Sequence, residues 1–274
     1  MDKQRPIGVF DSGIGGLSVL KQFIRYLPQE DYIYLGDTGR VPYGNKSTDT
    51  VRRYSRECAE FLMSKDVKLI VIACNTASSL ALETVKEISN VPVIGMIGPA
   101  VSAAIRETSN GNIGIIGTRA TVSSNSYNEA IKQLDKKSET EVFSKACPLF
   151  VPIAEEGWTS HPAARMIAEE YLDEFKAAEV DTLVLGCTHY PLLKQLISEV
   201  LPGVTLIDSG EHASVTALRV LAEQGVLVEE NPELVSDPHI DFYVTDVAST
   251  FFEIARRFLG FEVDSPQIIQ LGNQ

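Results

Sequence analysis

The chain has 274 residues, 44% of them hydrophobic, and a formal net charge of −13, enough for one or two domains with a sizeable core. The acidic balance repels phosphate backbones and anionic lipid, so neither nucleic acid nor a membrane is an expected partner, although a small anion in a locally positive pocket is not excluded. No apolar run approaches the ~18 residues of a membrane span, "MDKQRPIGVFDSG" lacks a signal-peptide core, and four cysteines without a CxxC read as free thiols in a reducing, cytoplasmic compartment.

In chain order, "PIGVFDSG" (6–13) reads as a buried strand running into a loop. Leu17, Leu20, Phe23, Ile24 and Leu27 have helical spacing over 17–27. A strand at 31–37, a helix at 50–65, a strand at 67–74, a helix at 77–89 and a strand at 91–97 follow. Strands alternating with helices predict a parallel sheet covered on both faces. The pattern then restarts. "NIGIIGT" (112–118) aligns with "PIGVFDS" (6–12), Val151-Pro152 with Val41-Pro42, and "VDTLVLGCTHYP" with "VKLIVIACNTAS". "GVTLID" (203–208) then takes the place of "VPVIG". Three landmarks in register predict two similar parallel-sheet α/β domains related by a pseudo-twofold axis. We expect the first to comprise residues 1–97 plus 208–274 and the second residues 98–207. A helix at 212–224, a strand at 240–246 and a helix at 248–259 complete the pattern, whereas the tail 263–274 shows no period and is expected to be loosely ordered.

Ligands of such sheets bind beyond the carboxyl ends of the strands. Facing halves would therefore gather the loops 11–16, 38–46, 74–79, 117–122, 152–158 and 187–191 around one cleft. Cys74 and Cys187 each close a strand-like apolar run, seven residues after Val67 and Val180. A pseudo-twofold axis would set the two sulfurs on opposite sides of one ligand. One thiolate could then take a proton from one face of a carbon while the other thiol protonates the opposite face, inverting the centre. A free thiol with a pKa near 8.5 is partly ionised at neutrality, and the pair would titrate as a coupled system. Cys58 on a helix and Cys147 before a proline read as structural. A zinc site is disfavoured, because Cys187 and His189 supply only a CxH without further ligands.

These residues carry a resemblance. "GVFDSGIGGLSVL", "YLGDTGRVPYGNKS", "IACNTAS" and "LGCTHYPLL" resemble, in order, the signature segments of bacterial glutamate racemase, a cofactor-independent family, over residues 7 to about 260. The resemblance implies interconversion of L- and D-glutamate for peptidoglycan synthesis, no cofactor or metal, and a homodimer. It makes Cys74 and Cys187 the acid/base residues, acting on D- and L-glutamate respectively. Asp11 and His189 would assist the thiols, with Glu155 a third. Asp11, Ser12, Pro42, Tyr43, Gly44, Asn75, Thr76, Thr118, Thr121, Thr188 and His189 would bind substrate. Hydroxyls and backbone N–H groups at strand ends and helix starts suit carboxylates.

Three other readings compete. An aspartate racemase, or another isomerase of the same superfamily, shares the motifs. "DSGIGG" followed by Asp37 imitates a dinucleotide fingerprint, but Ser18 stands where the third glycine belongs and the cysteines stay unexplained. A two-lobed solute-binding protein would also close on a small ligand, but would leave its configuration unchanged.

Overall fold

A computed structural model describes residues 2–136, 139–229 and 237–272. The first sheet is built on β1 (Ile7–Asp11), β2 (Tyr32–Gly36), β3 (Leu69–Ile72) and β4 (Val93–Ile94), with α1 (Leu17–Tyr26), α2 (Thr48–Ser64) and α3 (Asn75–Ile88) between them. The second is built on β5 (Asn112–Gly117), β6 (Glu141–Ala146), β7 (Thr182–Gly186) and β8 (Thr205–Asp208). α4 (Ile97–Glu107) leads into β5, and between the strands run α5 (Arg119–Ser123), α6 (Ser126–Leu134), α7 (Phe150–Glu155), α8 (Pro162–Ala177) and α9 (Lys194–Val200). Then α10 (Ser209–Glu223), β9 (Ile240–Val244), α11 (Phe251–Leu259) and β10 (Gln267–Ile268) complete the chain.

All strand pairings are parallel. The sheet orders are β10-β9-β2-β1-β3-β4 and β6-β5-β7-β8. The second order repeats β2-β1-β3-β4 element for element, so the weak sequence repeat corresponds to a repeated topology. Strand alternation explains the layers. Leu69, Val71 and Ala73 face α1, α10 and α11, whereas Ile70, Ile72 and Cys74 face α2 and α3. In β7 Leu183 and Leu185 share a core with Cys187, and Val184 points to the other. Each cysteine thus continues the inward parity of its strand.

Two expectations need correction. The tail is ordered through Gly272: β10 pairs with β9 at the sheet edge, and Ile269 and Leu271 pack on the core beneath α2. Two residue pairs in a ladder plus two spaced apolar contacts are too short to register as periodicity. Residues 273–274 lie outside the described residues. The strand expected at 91–97 shrinks to Val93–Ile94, because Ile97 already opens α4. Among the described residues no helix is long and apolar enough to cross a membrane.

Candidate active site

A cavity of about 240 Å³ opens where the carboxyl ends of the two sheets meet. Cys74 and Cys187 both line it. Cys74 is the N-cap of α3: its Sγ accepts from the Ala77 N–H at 3.5 Å, and its thiol lies 3.4 Å from Ser12 Oγ. Cys187 follows the last residue of β7, with Sγ 3.9 Å from His189 Nδ1. Each of the two cysteines is 6% exposed, so neither is freely solvated.

His189 is held on every side. Its Nε2 is 2.8 Å from Glu155 Oε1, Nδ1 is 3.4 Å from Thr188 Oγ1, and Phe258 of α11 packs edge-on at 5.2 Å. The loop after β1 approaches so closely that a Cβ on Gly15 would come within 2.4 Å of His189 Cε1 and 2.5 Å of Thr188 Oγ1. Only glycine allows the first half to close on the second here. Ser18 Oγ donates to the Thr188 carbonyl at 2.6 Å and adds a tie between halves.

Three threonines form a second junction. Thr76 Oγ1 lies 3.0 Å from Thr118 Oγ1 and 3.2 Å from Thr121 Oγ1, and Thr118 and Thr121 are 3.0 Å apart. Thr118 also caps α5 by accepting from the Thr121 N–H. Gly44 sits against Thr118, where a Cβ would approach to 3.1 Å. Pro42, in a cis peptide with Val41, and Tyr43 complete that wall. The Tyr43 hydroxyl donates to Asp37 Oδ2 at 2.5 Å, and Asp37 in turn accepts from Thr245 Oγ1 and Arg40 Nε.

The sequence profile of the Asp/Glu/hydantoin racemase family matches residues 7–217. The chain belongs to that family. A glutamate racemase of Chlorobaculum tepidum is 49% identical over 266 residues, covering 96% of each chain. The crystal structure of glutamate racemase from Francisella tularensis in complex with D-glutamate superposes with a TM-score of 0.90 at 40% identity, covering 98% of both chains. Glutamate racemase isoform RacE1 from Bacillus anthracis gives 0.91 at 38% identity and the same coverage. The protein is an amino-acid racemase built from two parallel-sheet α/β domains.

In this racemase one buried charge, Asp11, sits behind the cavity wall and another, His189, forms part of it. Burial pushes the Asp11 carboxyl above its ordinary value, opposed by His189 and by the N–H groups of Gly16, Gly13 and Ser12. Asp11 Oδ2 accepts from the Gly13 N–H at 3.0 Å, while Oδ1 has no hydrogen-bond partner among the described residues. An unsatisfied buried carboxylate oxygen is costly until a donor meets it. Burial, with Asp11 second, pushes the Cys74 thiol up to about 12, against the hydrogen bonds of Ser12 and Ala77. Burial works against charge on His189, but Cys187 and Glu155 prevail and raise it to about 10. The racemase therefore sets one thiol near a buried carboxyl group and the other beside a histidine held in its charged form.

Of the residues expected at the site, Ser12, Pro42, Tyr43, Gly44, Cys74, Asn75, Thr76, Thr118, Cys187, Thr188 and His189 line the cavity. Asp11, Thr121 and Glu155 stand one layer back, against Ser12, the threonines and His189. Asn45, Arg119 and Pro152, inside loops expected at the cleft but not named as site residues, also line it, as do Pro148 and Val151, which lie outside those loops. Val151 could have been named, since the repeat sets it over Val41. Arg119, exposed beside Thr118, is the one arginine or lysine among the lining residues. Cys58 and Cys147 are fully buried off the cavity, and burial raises both thiols.

Proposed function

We propose that the racemase interconverts L- and D-glutamate by two-base proton transfer at the α-carbon, without a cofactor. The observation that carries this reading is that Cys74 and Cys187, at the ends of matched strands in two sheets, line one small cavity. The named activity of the relatives supports glutamate as the substrate.

In one direction the Cys187 thiolate removes the α-proton of L-glutamate. The C–H bond breaks, an S–H bond forms, and the electron pair stays on a planar carbon. The Cys74 thiol then gives its proton to the opposite face. The reverse direction exchanges the roles, so Cys74 acts on D-glutamate. His189, pinned by Glu155, stands 3.9 Å from the Cys187 sulfur, in place to exchange a proton with it. Cys74 has the harder task, because burial and Asp11 both oppose its ionisation. The substrate's α-ammonium would supply the missing cation, with the Asp11 carboxylate behind Ser12 favouring positive charge there. Hydroxyls of Ser12, Thr76, Thr118 and Thr188, with the Tyr43–Gly44 turn, suit the two carboxylates; Thr121 backs this set. We extend the proposal to a homodimer in the cytoplasm that supplies D-glutamate for peptidoglycan. Four free cysteines are consistent with that compartment.

The test is racemisation of L-glutamate in D₂O, stopped early, beside L-aspartate, with chiral separation and mass spectrometry. Early D-glutamate should carry α-deuterium while the remaining L-glutamate keeps its hydrogen. Cys74→Ala and Cys187→Ala should each abolish turnover. Retained α-hydrogen in early product would overturn the two-base step, and preferential turnover of aspartate would overturn the substrate.

A further inference from the structure

Two-base transfer requires both sulfurs to stand close to one carbon at once, and misplacement by about 1 Å can cost a hundredfold in rate. Each thiol is fixed by its own strand, but the strands belong to different sheets. Something must hold the two strand ends at a set separation.

Tyr127 of α6 is 3% exposed and is not part of the cavity wall. Its hydroxyl donates to Asn75 Oδ1 at 2.6 Å. Asn75 opens α3 and directly follows Cys74. The same Tyr127 ring lies over Gly186, the residue before Cys187: a Cβ there would come within 3.2 Å of Tyr127 Cε2 and 3.5 Å of its hydroxyl. The other end of the Asn75 amide is held as well. Its Nδ2 donates to Ser209 Oγ at 3.3 Å, and Ser209 Oγ donates to the Leu185 carbonyl at 3.4 Å. The circuit leaves β7 at Leu185 and returns to it at Gly186, enclosing the residue that flanks Cys74. Beside it, Ser126 Oγ donates to the Ser79 carbonyl of α3 at 2.9 Å. Burial first, and Cys187 second, hold the Tyr127 hydroxyl well above its ordinary pKa, so it remains a donor throughout the working range.

We propose that Tyr127 and Ser209 are positioning residues for racemisation: by clamping Asn75 between them they set the separation of Cys74 and Cys187 across the substrate carbon. The proposal rests on the two-thiol reading. Each polar atom of the Asn75 amide can make one further hydrogen bond, so the clamp is compatible with a substrate contact there.

The test compares Tyr127→Phe and Ser209→Ala with the wild type in D₂O, measuring both turnover and α-deuterium in unracemised L-glutamate. Tyr26→Phe is the control, since that hydroxyl bonds Glu211 at 2.7 Å and lies off the cavity. With the clamp loosened, Cys187 still abstracts the proton, but delivery from Cys74 misses. The abstracted proton then exchanges with solvent and a deuteron returns to the same face. We expect kcat to fall about tenfold in both directions with KM within about twofold, as misplaced reacting groups should produce. The ratio of exchange to inversion should rise severalfold, and Tyr26→Phe should match the wild type. If Tyr127→Phe does not fold, Ser209→Ala decides. A fall in exchange and inversion by the same factor, or no change in either, would overturn the clamp. Absence of D-glutamate from the wild type would instead overturn the underlying reading.

Discussion

Glu155 touches no part of the cavity, yet its carboxylate sits on His189 Nε2 and helps hold the imidazolium beside Cys187. Because the folded pKa of His189, about 10, lies above its unfolded value near 6.5, the ion pair adds stability that is fully present below pH ~6.5. That stability is lost as pH rises through about 10. Glu155→Gln keeps a hydrogen-bond acceptor and removes the charge. It should lower Tm at pH 6 by about 3 °C for each kcal/mol of lost pairing, and the difference should vanish above pH 10. Calorimetry at the two pH values checks this; an equal deficit at both would assign Glu155 a packing role alone. At this scale the sequence was informative about Cys74, Cys187 and His189, whose chemistry is unusual for a strand end. It was silent about Tyr127 and Ser209, ordinary helix residues whose partners lie 52 and 134 positions away at Asn75.

Elements built on long apolar runs were legible to within a few residues: 17–27 against Leu17–Tyr26, 50–65 against Thr48–Ser64, and 77–89 against Asn75–Ile88. The last discrepancy has a cause, since the cysteine thiol itself caps the helix and draws its start back to Asn75. β6 was not anticipated because it is an edge strand, half-exposed along its length, and its residues alternate weakly. The turn before β5 shows how a loop is fixed without a core. Asp181, just ahead of β7, accepts from Thr108 Oγ1, the Ser109 N–H and Oγ at 2.7 Å each, and the Asn110 N–H at 2.9 Å. Burial opposes the carboxylate, but these donors prevail and hold its pKa below the usual range. Such a group stabilises the fold above pH ~4 and loses that contribution as pH falls through the depressed folded value. Asp181→Ala should cost about 2 kcal/mol at pH 7, and the gap to the wild type should narrow progressively below pH 4. Urea unfolding at pH 7 and pH 3 tests it; a constant gap would contradict the assignment to the charged form.

At the level of the whole molecule, the chain leaves the first sheet, builds the second, and returns to pair β9 with β2 and β10 with β9. The return matters to the site. Phe258 of α11 braces the His189 ring, and Arg257 donates to the Glu155 carbonyl. Thr245, just past β9, bonds Asp37, which holds Tyr43 in the cavity wall. Truncation after Val263 would remove β10 and the partly buried Ile269 and Leu271 but none of these contacts. It should destabilise the protein by about 2 kcal/mol of lost apolar burial while leaving kcat for racemisation within about twofold. A thermal melt together with the turnover assay decides; loss of activity without loss of stability would show that the tail serves the site directly. The sequence by itself determined the strand–helix alternation, the repeat and the family, because these are written in local spacing and in short motifs. It also picked out the two cysteines, since matched strand ends are a local property. Only the tertiary structure decided that both thiols line one cavity, that Asp11 and Glu155 stand behind its wall, and that Asn75 is clamped from both sides. Those facts depend on contacts between residues far apart in the chain and on different sheets, and no periodicity along the sequence encodes a distance across a cleft.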